Sequence, residues 1–314
     1  MSYKKGLGFP YMGSKRKIAK EIVDKILEIR PNTKYVYDLF GGGGAITLEF
    51  IQRPQIEKVY YNDTYKPIVD LFERVWNSGV TNDMYQWVSR ENYNKHRYCG
   101  TWYEGFLGCV WSFGNNIKKG YLYGKDIEEY KRWLHEIIVN KDEILLDKFE
   151  RQFKIKIDKD YLFSLDELNE RRLYLMKIIK ENKNRFDIEN IDRIIQLERI
   201  DKLQHLTSSI VLNVKTSNKE IVFSSKSYKD IIIETSKEET IIYLDPPYRN
   251  TTKYKESIDY KELDDWIKNN KYDVFMSEYE APFNIVWKKK KRVIMNSKDN
   301  TKLNTEKLYY NRKE

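Results

Sequence analysis

Two rhythms of apolar and polar positions divide this chain. From residue 34 to 77 the pattern reads strand, turn, helix, strand, helix. Lys34-Tyr35-Val36-Tyr37-Asp38-Leu39-Phe40 is a short apolar run that ends in Gly41-Gly42-Gly43-Gly44. Ala45-Ile46-Thr47-Leu48-Glu49-Phe50 then opens a helix, and Lys58-Val59-Tyr60-Tyr61-Asn62-Asp63 makes a second strand. Ile68, Val69, Leu71, Phe72, Val75 and Trp76 follow at helical spacing behind Pro67, a residue suited to a first helical turn. Upstream, Ile18, Ile22, Val23, Ile26 and Leu27 predict a helix with Ser14 as its N-cap. Lys15 would then lie in the first turn, where an anion is welcome.

From about residue 80 to 206 no strand-turn-helix unit recurs. Asp126–Asn140 has the period of an amphipathic helix. A second such helix is expected from the capping box Ser164-Leu165-Asp166-Glu167 through Leu173, Met176 and Ile179, and a third over Asp187–Leu206. The first rhythm returns with Ile221-Val222-Phe223-Ser224, then Ser227–Ile232, then Ile241-Ile242-Tyr243-Leu244. A helix around Tyr260–Asn270 leads to a strand over Tyr272–Tyr279. Lys288-Lys289-Lys290-Lys291-Arg292 enters a strand at Val293-Ile294-Met295, and Glu306–Tyr310 makes the last one. That order predicts a discontinuous α/β domain, residues 1–80 and 207–314, interrupted by a largely helical insert, residues 81–206.

Composition adds bounds. A chain of 314 residues, 33% charged and 40% hydrophobic, is long enough for a full core. No apolar run approaches the ~18 to 20 residues of a membrane span, and Met1–Gly6 lacks a secretory apolar stretch. No membrane association and a cytoplasmic location are therefore expected. The two cysteines, Cys99 and Cys109, are too far apart for a metal knuckle, and both read as small buried side chains. Three histidines without His-x-x-x-His spacing make a catalytic metal unexpected. The net charge of +9 fits a nucleic-acid partner, although a Lys/Asn/Ile/Tyr bias from A/T-rich coding produces the same excess.

The chemistry gathers at strand ends. Asp245-Pro246-Pro247-Tyr248 closes a buried strand with a turn stiffened by two prolines, at the sheet edge where open α/β folds hold ligands. The Asp245 carboxylate and the Pro246 carbonyl are two acceptors, and Tyr248 offers a stacking face. That set suits a planar group bearing an exocyclic amine. The glycine turn lets a ligand approach backbone, and Asp63 lies about twenty residues beyond, where a ribose-binding acid belongs. A dinucleotide fingerprint fails, because Ile46 or Thr47 stands where its last glycine is required. A nucleoside-bearing cofactor without a pyrophosphate, S-adenosylmethionine, fits better than a dehydrogenase cofactor or a bare glycine turn. Gly8-x-x-x-x-Gly13-Ser14-Lys15 also misses the order of a P-loop. In the insert, Asn115, Asn116, Lys118 and Lys119 form a polar loop beside an aromatic and glycine cluster. Asn side chains read adenine edges and lysines meet phosphates, so DNA contact is expected there.

Taken together these segments resemble the DNA adenine-N6 methyltransferases of the Dam type, which carry a recognition insert between a cofactor half and a catalytic half. Phe40-Gly41-Gly42-Gly43-Gly44 is similar to the family's cofactor motif, Asp245-Pro246-Pro247-Tyr248 to its catalytic motif, and Tyr11-Met12-Gly13-Ser14-Lys15 to its amino-terminal motif. The amino-terminal motif departs in having Ser14 where glycine is usual, and the insert does not align. The resemblance implies a seven-stranded, mostly parallel Rossmann-like sheet flanked by helices, with one antiparallel strand near its end. It implies S-adenosylmethionine as donor and double-stranded DNA as partner. A monomer in solution is expected, and the sequence leaves open whether a cognate restriction endonuclease accompanies it. By analogy Tyr11, Lys15, Asp38, Phe40, Gly42, Gly44, Asp63 and Asp245 hold the cofactor, Lys15 meeting its methionine carboxylate. Asp245, Pro246, Pro247 and Tyr248 carry catalysis on a flipped-out adenine. Cytosine N4 as acceptor, and a non-catalytic DNA-binding protein on the same fold, are the alternatives.

Overall fold

The computed structural model describes residues 7–182, 219–249, 258–294 and 301–312. Its first strands and helices are α1 (Ala19–Ile29), β1 (Tyr35–Asp38), α2 (Ala45–Ile51), β2 (Lys58–Asn62) and α3 (Lys66–Ser78). After the intervening region come β3 (Glu220–Ser224), β4 (Thr240–Leu244), an α-helix over Tyr260–Asn269, β5 (Asp273–Glu278), β6 (Asn284–Ile294) and β7 (Thr301–Asn311). The seven strands form one sheet in the order β3-β2-β1-β4-β5-β7-β6. Neighbours from β3 to β5 are parallel, and β7 runs antiparallel to both β5 and β6. The expected mixed sheet with one reversed strand is what forms.

Two compact units divide the chain. One is residues 1–9, 13–73 and 209–314, and the other is residues 10–12 and 74–208. In the first unit β4 and β5 are buried at every position, as interior strands of a parallel sheet covered on both faces must be. Each fully buried Ile or Leu there contributes roughly 1.5–3 kcal/mol relative to exposure. Tyr37, Leu39, Ile242, Leu244, Val274 and Met276 pack with Leu263 and Ile267 in one such layer. The basic run Lys288–Arg292 lies on β6 at the sheet edge, where charge discourages further strand pairing, and Lys289 pairs with Glu21.

The second unit holds α4 (Arg90–His96), α5 (Trp102–Phe106), α6 (Lys125–Asn140), α7 (Glu143–Phe153), α8 (Lys159–Ser164) and α9 (Leu168–Glu181). The Tyr260–Asn269 helix of the first unit is therefore α10. Trp133, Leu134, Ile137, Ile138, Phe149, Leu175 and Ile179 supply a separate core. The helix expected over Asp187–Leu206 lies outside the described residues.

Several local expectations change. Ser14 does not cap α1. The Lys15 carbonyl accepts from the Ile18 and Ala19 N–H groups at 2.8 Å, and the helix starts only at Ala19. Ser164 does not begin a helix but ends α8, its hydroxyl donating to the Tyr161 carbonyl at 2.8 Å. Asp158 has already capped α8 by accepting from the Tyr161 N–H, so the helix reaches Ser164, and α9 starts after Glu167 without a side-chain cap. Within Ser227–Ile232 only a short turn, Tyr228–Asp230, is regular. Cys109 is buried as expected, but Cys99 is exposed beside Thr101, because it sits in the turn between α4 and α5 rather than on a packed face.

Candidate active site

β4 delivers Asp245-Pro246-Pro247-Tyr248 at its carboxyl end, between β1 and β5. The proline pair removes donors that a continuing strand would use, and neighbouring groups brace the chain that emerges. Tyr260, the first residue of α10, donates its hydroxyl to the Pro247 carbonyl. Glu278, the last residue of β5, accepts from the Arg249 N–H at 3.0 Å and from the Tyr279 N–H at 2.7 Å. Burial pushes the Glu278 carboxyl up to about 7 against those two bonds. Tyr279 also packs edge-on to the Tyr248 ring, 4.5 Å between centroids at 82°.

A buried cation sits at the motif. The Lys15 ammonium lies 2.6 Å from Asp245 Oδ1, 3.4 Å from Glu306 Oε1 and 4.6 Å above the Tyr248 ring. Burial alone would lower its pKa, but the Asp245 and Glu306 carboxylates outweigh that and hold it above its ordinary value. Instead of pointing out of a helix's first turn, Lys15 is engaged by two carboxylates. Glu306, on β7, also accepts from the Tyr248 hydroxyl.

The glycine turn adjoins this cluster. Gly44 begins α2 in the left-handed region at φ 72°, and an added Cβ there would meet the Phe72 ring at 2.4 Å. At Gly41 a Cβ would come within 2.1 Å of Tyr61, whose hydroxyl donates to the Gly42 carbonyl at 2.7 Å. Gly8 serves the same turn: Phe9 N–H donates to the Gly43 carbonyl at 2.7 Å, and a Cβ on Gly8 would meet that oxygen at 2.5 Å. The near-miss P-loop glycine is thus a packing glycine.

Asp63 Oδ2 accepts from the Gly42 N–H and Oδ1 from the Tyr65 N–H, each at 2.9 Å. Burial raises its pKa against those bonds. Asp38 Oδ2 accepts from the Thr47 hydroxyl at 2.7 Å, whereas Oδ1 is buried without a partner among the described residues. Burial pushes the Asp38 carboxyl up to about 7, opposed by the Thr47 bond and reinforced by the charges of Asp245 and Asp63. Phe40 is half-buried and leans on Tyr228, 5.6 Å between centroids.

Among the described residues, Asp245 and Glu306 share the Lys15 ammonium, Asp38 and Asp63 are two further buried carboxyl groups, and one buried oxygen of Asp38 has no partner. A ligand carrying positive charge relieves both conditions. The sulfonium and ammonium of S-adenosylmethionine meet that requirement, and the glycine turn offers backbone for close approach. The residues present fit the group.

Other expected site residues fall in the second unit. Tyr11 is half-buried there. Asn115 donates to the Cys109 carbonyl at 2.6 Å. Asn116 accepts from the Lys118 N–H at 3.0 Å and donates toward Met12 Sδ at 3.5 Å. Both amides are therefore already engaged, while Lys118 and Lys119 are exposed. Sequence reasoning missed Thr47, Tyr260, Glu278 and Glu306. No local signal marked Glu306, since β7 carries several other polar residues. Among the described residues no cluster of His, Cys, Asp or Glu could hold a metal, and no helix is long and apolar enough to cross a membrane.

No curated protein matches the chain. A family model, D12 class N6 adenine-specific DNA methyltransferase, matches residues 11–311. It takes in the glycine turn, the Asp-Pro-Pro-Tyr turn and the strands that carry them. Since that match spans nearly the whole sequence, the protein belongs to the D12 class of N6 adenine-specific DNA methyltransferases, whose reaction is S-adenosylmethionine-dependent methylation of adenine in DNA.

Proposed function

We propose that this chain methylates adenine at a defined sequence in double-stranded DNA after the base has left the helix, using Asp245, Pro246 and Tyr248 as its catalytic groups. The observation that carries the assignment is the braced turn: a carboxylate, a main-chain carbonyl and an aromatic face fixed at the end of a buried strand, beside an acidic glycine cradle. Adenine N6 is a poor nucleophile because its lone pair is delocalised into the ring. Accepting its two N–H bonds at the Asp245 carboxylate and the Pro246 carbonyl localises that pair, and the Tyr248 ring stacks on the base. A buried target adenine is out of reach of such a site unless it is extruded. Bound S-adenosylmethionine supplies an electrophilic methyl on positively charged sulfur. The chain's own contribution is position and charge. Asp38 and Asp63 complement the donor's positive charge and ribose, and the glycine turn admits it to backbone. No cysteine nucleophile has a part.

The insert, residues 81–206, is proposed to read the target, with Lys118 and Lys119 meeting phosphates. The compactness of residues 74–208 as a unit of their own supports that division. A monomer is proposed as the active species, since the proposed catalytic and carboxylate groups all belong to one unit of one chain. The test is Asp245→Ala assayed with tritiated donor on duplex DNA, followed by digestion to nucleosides. Wild type should yield N6-methyladenine, and the variant none. Full activity in the variant would remove Asp245 from the mechanism.

A further inference from the structure

Asp245 and Tyr248 are accounted for by the reaction just described, but the carboxylate that both lean on is not. Glu306 is buried, at 2% exposure, in the antiparallel strand β7. Its Oε1 receives the Tyr248 hydroxyl and stands 3.4 Å from the Lys15 ammonium, which stands 2.6 Å from Asp245 Oδ1. One oxygen thus links the stacking residue to the acceptor residue. A buried carboxylate is costly to desolvate, and an apolar residue of similar volume would serve a sheet at least as well. Leu308, two positions further along β7, is such a residue.

We propose that Glu306 is a positioning residue for methyl transfer, acting through Tyr248 and Lys15. Its first effect is geometric. The Tyr248 ring is held at its hydroxyl by Glu306 and braced by the perpendicular Tyr279 ring, so its plane is set before a base arrives. Its second effect is electrostatic. Lys15 is shared between two carboxylates, and this keeps the ammonium from fully neutralising Asp245. That sharing favours acceptance of the adenine amine at Asp245, while Lys15 holds its Oδ1. This inference rests on the roles proposed above for Asp245 and Tyr248.

Glu306→Gln preserves size and an oxygen for the Tyr248 hydroxyl but removes the charge, and Glu306→Asp restores charge at shorter reach. Full-length proteins are compared on saturating duplex DNA with tritiated S-adenosylmethionine. Glu306→Gln should lower kcat by about 10- to 100-fold while KM for DNA and donor stays within threefold, and Glu306→Asp should recover part of kcat. The loss in a Tyr248→Phe background should be smaller than in wild type, because the two residues share one bond. A merely structural acid would instead lower thermal stability and leave kcat of the folded fraction unchanged. A kcat within twofold of wild type for Glu306→Gln, or an Asp variant no better than Gln, overturns the proposal. Wild type that methylates no adenine would instead refute the proposed function, so the two failures are distinct.

Discussion

Asp38 gives the sharpest physical prediction, because a carboxyl group that is ordinary in the unfolded chain becomes costly to ionise in the fold. Its pKa moves from 3.8 to about 7, with burial as the main cause. Each unit corresponds to about 1.4 kcal/mol, so the full penalty is roughly 4 kcal/mol, an upper bound for one buried group. The sign follows from proton counts. Between pH 3.8 and about 7 the native state keeps a proton on Asp38 that the unfolded state has lost. Stability of the free protein therefore falls as pH rises through that window and levels off above it. From pH 5 to pH 8 the Asp38 contribution amounts to roughly 3 kcal/mol. Asp38→Asn keeps an oxygen for the Thr47 hydroxyl and cannot ionise, so it should lose that share of the slope. Glu278, also raised to about 7 by burial, keeps a residual slope in the variant. The assay is urea unfolding of wild type and Asp38→Asn at several pH values in that range, with midpoint and m-value read separately. Saturating S-adenosylmethionine should flatten the wild-type slope, since a bound cation stabilises the ionised carboxyl. Equal slopes in the two free proteins would refute the account of a buried acid without a counter-charge.

Three other outcomes are expected. Asp63→Ala should weaken donor binding by calorimetry and destabilise the glycine turn, because the Gly42 and Tyr65 N–H groups lose their acceptor at about 1–3 kcal/mol each; unchanged affinity would take Asp63 out of the site. Gly41→Ala should destabilise the fold by about 1–3 kcal/mol or more in thermal melts, since its Cβ would meet a fully buried Tyr61 ring held by a hydrogen bond to Gly42. Lys118→Gln with Lys119→Gln should reduce the salt dependence of duplex binding, measured by fluorescence anisotropy, by a slope of about 1.8 if each lysine meets one phosphate; an unaltered slope would place DNA elsewhere.

The local grammar of the active site was legible in the sequence because it is written over a few consecutive residues. An apolar run needs only its neighbours to declare a strand, and a glycine cluster or a proline pair needs only itself to declare a turn. That sufficed for β1, β2 and β4, for the Gly41–Gly44 turn, and for Asp245–Tyr248. The resemblance of those segments to a known family carried the reading from an amine holder to adenine methylation, and the family match over residues 11–311 agrees. Caps were less legible. Ser14 and Ser164 have the right chemistry, but which oxygen caps a helix depends on where neighbouring backbone donors are already engaged.

Contacts across the sheet were not legible at all. Lys15 and Asp245 are 230 positions apart, and Tyr248 and Glu306 are 58 apart. No local period links them. The second meeting depends on β7 entering antiparallel beside β5, with Glu278 opposite Lys307, and a slip of one residue would turn Glu306 to the other face. The same holds for the lone oxygen of Asp38, whose raised pKa arises from burial that only the packed sheet creates. The chain's local patterns determined which groups could do chemistry at the strand ends. The tertiary register decided which of them share a charge, because electrostatics acts through space and burial, not along the sequence.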